Sequence, residues 1–292
     1  MTIIQAIILG TVQGLTEFLP ISSSAHLNLF PWLLKWQEMP ESFDVALHIG
    51  TLLAIIVYFF KDWIRLIAGG YKQVVKKEKT TDGKIFWYLV IATIPAGILS
   101  LILDKIVDKI IGNNLNLEMI IISMALIIMG IVLYLVDKNS KSTIKYENIT
   151  LKQSVLIGMS QALAAAFPGV SRSGITMTVA RWLGIDRESA AKYSFLLATP
   201  ITAAAVIFSL GDLALTSLSF WIGVLASFVV GIFVIKFLLN YLKKGSFKVF
   251  AIYRIIIGLL IIGIVFMAKL ITNLIKKYET KTYFAIMGFV LS

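Results

Sequence analysis

The sequence predicts an all-α polytopic membrane protein, and three observations carry that prediction. Apolar residues make up 58% of the 292 positions and charged residues only 15%, against roughly 25% charged in an ordinary soluble domain. Residues 85–103, 119–136 and 213–235 hold no charged side chain, and each approaches the roughly 20 residues a helix needs to cross a bilayer. The remaining charges gather in short segments between apolar runs. The net charge of +11 therefore reads as topology-setting loops against anionic membrane lipids and not as a nucleic-acid footprint. A soluble globule, a disordered chain and a disulfide scaffold are excluded, and without cysteine there is no thiolate metal site. The first basic residue is Lys35, so no charged leader is expected and the protein inserts through its own spans.

In chain order, six full spans are expected, at about 45–60, 85–103, 118–136, 193–211, 217–236 and 249–268. Two further apolar segments, 3–19 and 153–167, each run into a proline and a Ser/Gly-rich stretch, at 21–26 and 169–174. Irregular backbone at membrane depth is tolerated only where protein covers it or a polar cavity borders it, so these two segments are expected to be re-entrant broken helices. Residues 61–84 carry seven Lys and Arg, 137–152 carry four, and 236–248 carry four with no acid. By contrast, 104–118 has two basic residues against three acids, and 211–218 has Asp212 alone. The positive-inside rule makes the first three loops cytoplasmic and the last two external.

An internal repeat organises these segments. Gly10, Gln13, Leu15, Pro20 and Ser23 fall on Gly158, Gln161, Leu163, Pro168 and Ser171 at an offset of 148. Phe86, Trp87, Ala92 and Gly97 fall on Phe220, Trp221, Ala226 and Gly231 at 134, and 130–132 fall on 263–265 at 133. The chain thus reads as one membrane domain, 1–292, with a first repeat at 1–138 and a second at 150–270. The tail at 271–292 has no assigned role. Each repeat holds one re-entrant segment and three crossings, an odd number, so the halves have opposite orientation. Broken helices meeting across such inverted repeats mark an intramembrane binding site.

The two broken segments supply complementary chemistry. Gln13 and Glu17 are four apart and share a helix face. Glu17 is the only charge in the first 34 residues, and a carboxylate at membrane depth costs roughly 2.5–3.5 kcal/mol unless it has a function or a partner. Ser22, Ser23, Ser24 and His26 follow it. The second segment offers Gly169, Ser171, Arg172, Ser173 and Gly174. Glycines let backbone donors approach a ligand, the hydroxyls add donors, and the Arg172 fork matches phosphate oxygens. A helix starting near Ser173 would add its N-terminal partial charge. Together the segments form a cradle for a phosphate or diphosphate, held through a divalent cation (Mg or Ca) on Glu17. Asp44 and His48, also four apart, either line the external approach to this site or cap a helix end.

At these residues the sequence resembles the bacterial undecaprenyl-pyrophosphate phosphatase family of the bacitracin-resistance type. The family's E/Q-x-x-x-E motif and the serine stretch after it are matched by Gln13 through His26. Its Pro-Gly-x-Ser-Arg-Ser-Gly motif is matched in full by 168–174. The likeness extends to Phe43-Asp44, to His48-Ile49-Gly50-Thr51, and to Ser194-Phe195-Leu196-Leu197 with Pro200. Two departures stand out. Gln13 is the amide version of its motif position and so not a charged metal ligand, and Ala25 replaces the glycine usual before His26.

The resemblance implies hydrolysis of undecaprenyl diphosphate to the monophosphate, recycling the lipid carrier for cell-wall synthesis and conferring bacitracin resistance. It also implies a divalent-cation requirement and a multi-pass protein of the bacterial inner membrane with its site facing the extracytoplasmic side. Carried over by position, Gln13 and Glu17 form the acidic motif, Ser23 and His26 are candidates for nucleophile or base, and Arg172 binds phosphate. Both Ser23 attack through a phosphoserine, with His26 or Glu17 as base, and direct water attack fit the residues. A homodimer is a candidate assembly. The rival reading is a lipid-phosphate transporter or flippase using the same cradle, which would need cations but no base beside the serines.

Overall fold

The computed structural model describes residues 1–37, 39–111, 115–209, 211, 215 and 217–291. Among them the helices run α1 (Ile3–Thr16), α2 (Ser23–Leu34), α3 (Glu41–Tyr58), α4 (Phe60–Tyr71), α5 (Thr81–Ile111), α6 (Leu115–Asn139), α7 (Leu151–Ala166), α8 (Arg172–Trp182), α9 (Arg187–Phe208), α10 (Leu218–Leu242) and α11 (Lys248–Leu291). The only β pairing among the described residues is an isolated bridge between Ile144 and Ile185. Among the described residues six helices are long and apolar enough to cross a membrane: Glu41–Tyr58, Thr81–Val107, Leu117–Asn139, Arg187–Phe208, Leu218–Leu242 and Lys248–Tyr278. One lies over each expected span. Asp212, residues 112–114 and Ser292 lie outside the described residues, as do the side chains of 279–291, so the readings of the external loops and the tail bear on them only in part. The tail backbone continues α11, with a non-helical break at Tyr278.

The short helices begin in matched ways. α1 opens with a capping box of Thr2 and Gln5, and α7 with the same box of Thr150 and Gln153, each satisfying two orphan backbone donors. α2 and α8 both start after a serine in the left-handed region, Ser22 at φ 76° and Ser171 at φ 71°. The hydroxyl of each accepts from the backbone N–H three residues on, that of Ala25 and of Gly174. The offset of 148 therefore holds through Gln13 and Gln161 and becomes 149 at the caps, because the turn after Pro168 is one residue longer than the turn after Pro20. That extra residue aligns Ser23 with Arg172. Ser23, Ser24 and His26 lie inside α2, where the serine run alone reads as broken backbone.

The basic segment 61–84 is not a plain loop either. Its first half folds as α4, whose Phe60, Ile64, Ile67 and Tyr71 remain exposed, as suits an amphipathic helix lying at a membrane surface.

Packing follows glycine contacts. Gly10 and Gly14 of α1 meet α10 at Gly223 and Ser227, and Gly158 of α7 meets α5 at Ala92, so each half's first helix docks on a long helix of the other half. Running directions follow from the same contacts. α3 runs parallel to α10, with Phe43 near Gly223 and Ala54 near Gly231, whereas α6 and α11 are antiparallel, with Gly130 near Ala251 and Gly258 near Ser123. Phe18 packs edge-on against Phe195 at 5.4 Å, in a buried cluster that reaches Phe59, Leu89, Ala92 and Ile157.

At Gly50 a Cβ would land on the Ser227 hydroxyl and the Val224 carbonyl of α10, while nothing lies within 4 Å of one at Gly97. Overpacking of this kind costs about 1–3 kcal/mol. Gly50→Ala is expected to lower the thermal unfolding midpoint in detergent by several degrees, and Gly97→Ala to leave it unchanged, as read by differential scanning fluorimetry.

The three basic loops gather at one end. Lys192 Nζ pairs with Asp62 at 2.8 Å, and Lys84 Nζ donates to the Glu147 carbonyl at 3.1 Å. Buried Asp137 takes Arg181 Nε at 2.9 Å, Arg187 Nε at 2.8 Å and the Phe247 backbone N–H at 3.0 Å. One carboxylate there fastens α6, α8, α9 and the α10–α11 turn.

Candidate functional site

Glu17 is the C-cap residue of α1 and is 7% exposed. Four elements close round its carboxylate. Gln13 Nε2 donates to Oε2 at 3.1 Å from one turn earlier on α1, and Ser23 Oγ donates to the same oxygen at 2.7 Å from the first turn of α2. Arg172 Nη2 donates to Oε1 at 2.7 Å from the first turn of α8. His48 Nε2 of α3 stands 4.0 Å from Oε2, with its Nδ1 3.0 Å from the Asp44 carbonyl oxygen. The repeat-related pair Ser23 and Arg172 thus grips the two oxygens of one carboxylate. Charge-assisted bonds of this length are among the strongest a protein makes, and the pairing offsets the cost of burying either ion.

The carboxylate borders a cavity of about 380 Å³ whose walls include Ser23, Asp44, His48, Gln161 and Arg172. Several buried polar atoms here have no hydrogen-bond partner among the described residues: Gln13 Oε1, both side-chain polar atoms of Gln161, Arg172 Nη1 and Ser100 Oγ. An unsatisfied buried polar atom costs about 1–3 kcal/mol, and of these residues Gln161, Arg172 and Ser100 line the cavity, which makes it the candidate place for a polar ligand.

The remaining expected residues hold the two turns together. Ser22 and Ser171 are the helix caps, and both have left-handed backbone that costs about 1–3 kcal/mol and concentrates at functional sites. Ser24 Oγ accepts from Gly169 N–H at 3.3 Å, and Ser173 Oγ donates to the Leu19 carbonyl at 3.0 Å, which stitches each turn to the other. Gly169 has φ 94° and lies against the Ile122 backbone, and a Cβ at Gly174 would meet the Arg254 guanidinium. The N–H groups of both glycines already have partners, Ser24 and Ser171, so their role here is close approach and turn geometry. Ala25 is helical and packs with Met119 and Ile122, so its methyl costs the turn nothing.

His26 is not brought to the carboxylate. Its Nδ1 lies 2.6 Å from the Ser22 carbonyl oxygen and its Nε2 2.7 Å from the Tyr253 hydroxyl, with the two rings stacked at 5.7 Å. The imidazole beside Glu17 is that of His48.

Sequence reasoning missed Arg254, which is fully buried on α11. Its Nη2 donates to the carbonyls of Gly169 at 3.0 Å and Val170 at 2.9 Å, and its Nη1 to that of Pro20 at 3.3 Å. This guanidinium ties the first broken segment to the second. A lone arginine inside the apolar run 249–268 is a signal that could have found it. Gln161 was visible only as the repeat mate of Gln13.

A helical bundle with six helices able to cross a membrane among the described residues, in which a buried carboxylate meets a half-buried guanidinium beside a cavity, defines a polytopic membrane protein with a candidate anion site. Residues 6–260 match the family model described as bacitracin resistance protein BacA, and the chain belongs to that family. An undecaprenyl-diphosphatase of Moorella thermoacetica is 43% identical over 271 residues, covering 92% of this chain and 100% of that protein. One of Desulforudis audaxviator is 46% identical over 262 residues, covering 89% and 97%. One of Pelotomaculum thermopropionicum is 45% identical over 264 residues, covering 90% and 96%.

Proposed function

We propose that the protein hydrolyses undecaprenyl diphosphate, releasing inorganic phosphate and leaving undecaprenyl phosphate for reuse as a cell-wall carrier. Relatives over 40% identical along nearly their whole length carry the name of that activity. The observation that carries the reading to this chain is the Ser23–Glu17–Arg172 group, a hydroxyl bonded to a base and a base bonded to a cation, on the wall of a cavity. A passive phosphate carrier has no need of the carboxylate bonded to the hydroxyl.

The proposed sequence uses this chain's own groups. Arg172, whose Nη1 is unpartnered, shifts its fork from Glu17 to the terminal phosphate, which frees the carboxylate to take the Ser23 proton. Ser23 Oγ bonds to the terminal phosphorus as the bridging P–O bond breaks, and undecaprenyl phosphate leaves with that electron pair. Water then hydrolyses the phosphoserine to inorganic phosphate and restores the hydroxyl. The 2.7 Å Ser23–Glu17 bond supports Glu17 as the base over His26, whose ring nitrogens are engaged elsewhere.

A divalent cation fits the donor set in one way. Among the described residues no cluster of three His, Asp or Glu could hold one by itself. Glu17, on the cavity wall, would hold a hard cation whose other ligands come from substrate and water, the usual mode for Mg²⁺. When bound, the ion neutralises charge developing on the diphosphate.

We place the site on the extracytoplasmic side of the plasma membrane. The ends of α3 and α9 that border the cavity, at Asp44 and Ser209, are the ends remote from the basic loops. α3 and α9 run oppositely between those ends, which supports two inverted repeats with re-entrant α1–α2 and α7–α8.

The test is phosphate release from undecaprenyl diphosphate by purified protein in detergent, with divalent cation and with chelator. Cation-dependent release is expected. Ser23→Ala should lose at least about 10²-fold in kcat, the scale of one activated nucleophile or general-base contribution, and acid-quenched wild type should yield phosphoserine at Ser23. A fully active Ser23→Ala protein would redirect the chemistry to direct water attack. No release from folded wild type would sink the phosphatase reading and favour a lipid-phosphate transporter.

A further inference from the structure

Gln161 stands apart from the Glu17 cluster. It projects from α7 into the same cavity, is 2% exposed, and has both its amide nitrogen and its amide oxygen unpartnered. Ser100 of α5, the helix on which α7 packs, also borders the cavity with its hydroxyl unpartnered. The rest of this wall is mostly apolar, with Ala164 and Ala165 of α7 and Ile201, Ala205 and Val206 of α9 beside Thr202. A buried amide surrounded by such residues gains nothing from the fold, because each of its polar atoms has forfeited water without replacement.

We propose that Gln161 and Ser100 form the subsite for the second phosphate of a lipid diphosphate, the phosphate that stays on the lipid. The inference rests on the diphosphatase reading above and adds a site to it. Three features point this way. The Glu17, Ser23 and Arg172 group already accounts for one phosphate, and the cavity is roomier than one phosphate requires. The amide N–H and the hydroxyl are both donors, suited to phosphoryl oxygens. The apolar wall beside them suits the first carbons of a lipid chain, which only the retained phosphate carries. The amide oxygen then accepts from a water hydrating the diphosphate.

The repeat relation sharpens the assignment. Gln13 and Gln161 occupy equivalent positions on α1 and α7, yet Gln13 bonds Glu17 while position 165, four residues beyond Gln161, is an alanine. The equivalent amide thus lies in the cavity wall with no carboxylate to receive it, and its bonding is left for a ligand to complete.

The experiment compares the full-length protein in detergent with Gln161→Leu and Gln161→Glu, the second keeping the shape of the amide. Equilibrium binding of methylenediphosphonate, a non-cleavable diphosphate, is measured beside binding of inorganic phosphate, and KM and kcat are measured for undecaprenyl diphosphate. Gln161→Leu is expected to weaken diphosphonate binding and raise KM by about ten-fold, the loss of one hydrogen bond to a charged group, with phosphate binding within two-fold of wild type. Gln161→Glu should be worse than Gln161→Leu, since a carboxylate repels the same oxygens. Unchanged diphosphonate binding in Gln161→Leu overturns the subsite, as does a Gln161→Glu protein that binds as well as wild type, which would assign the amide to a cation. Because binding is read without turnover, an inactive wild type defeats the diphosphatase reading and leaves this result separately legible.

Discussion

Arg172→Ala is expected to lower kcat/KM for undecaprenyl diphosphate by at least about 10²–10³-fold, the scale set by removing one preorganised donor from a reacting oxyanion. Two losses combine. The substrate forfeits its guanidinium, and Glu17 is left buried without the cation that now sits 2.7 Å away. Stranding one member of a buried pair costs about 3–5 kcal/mol, so the variant should also unfold at lower temperature. Arg172→Lys should recover little, because a single ammonium reaches one oxygen where the planar fork reaches two. Glu17→Gln should lose activity to a similar degree. The double variant should lose far less than the product of the single losses, since both act through one network. Phosphate-release kinetics and unfolding midpoints on the four proteins decide this. Multiplicative losses in the double variant would mean that the two residues act independently, against the mechanism proposed.

Arg254→Met is expected to damage stability most. The native guanidinium serves the carbonyls of Pro20, Gly169 and Val170 from a fully buried position. A methionine side chain fills much of the volume but serves none of them, and each orphaned carbonyl costs about 1–3 kcal/mol. A net loss of about 3 kcal/mol corresponds to roughly 10 °C in unfolding midpoint. Activity should fall as well, though Arg254 does not border the cavity, because the turns that carry Ser23 and Arg172 lose their common anchor. Thermal unfolding in detergent, with kinetics taken well below the midpoint, separates the effects. An Arg254→Met protein of native stability and activity would mean that the turns hold their shape unaided.

The helical membrane fold and the identity of the broken segments were legible in the chain itself. Uncharged runs of span length admit few other folds, and each of the six expected spans is met by a helix. Glu17 and Arg172 stood out because a charge at membrane depth is costly enough to require a reason. The helical state of the serine stretch was not legible, since Ser22 opens α2 only by adopting a left-handed φ, which serine does not announce. α4 was hidden in a segment whose lysines read as loop.

What the sequence by itself determined is the chemistry present and its division between two halves: a carboxylate with hydroxyls in one, a guanidinium in the other. What only the tertiary structure decided is who meets whom. Ser23 and Arg172 lie 149 positions apart, yet they bond opposite oxygens of one carboxylate, while His26, three residues from Ser23, turns to Tyr253. His48, from a different helix, stands beside Glu17 instead. Local sequence sets backbone periodicity and the cost of burying each group. Partner choice depends on how whole helices dock, and here that docking follows close contacts at glycines and one buried arginine, whose partners lie more than 80 residues away.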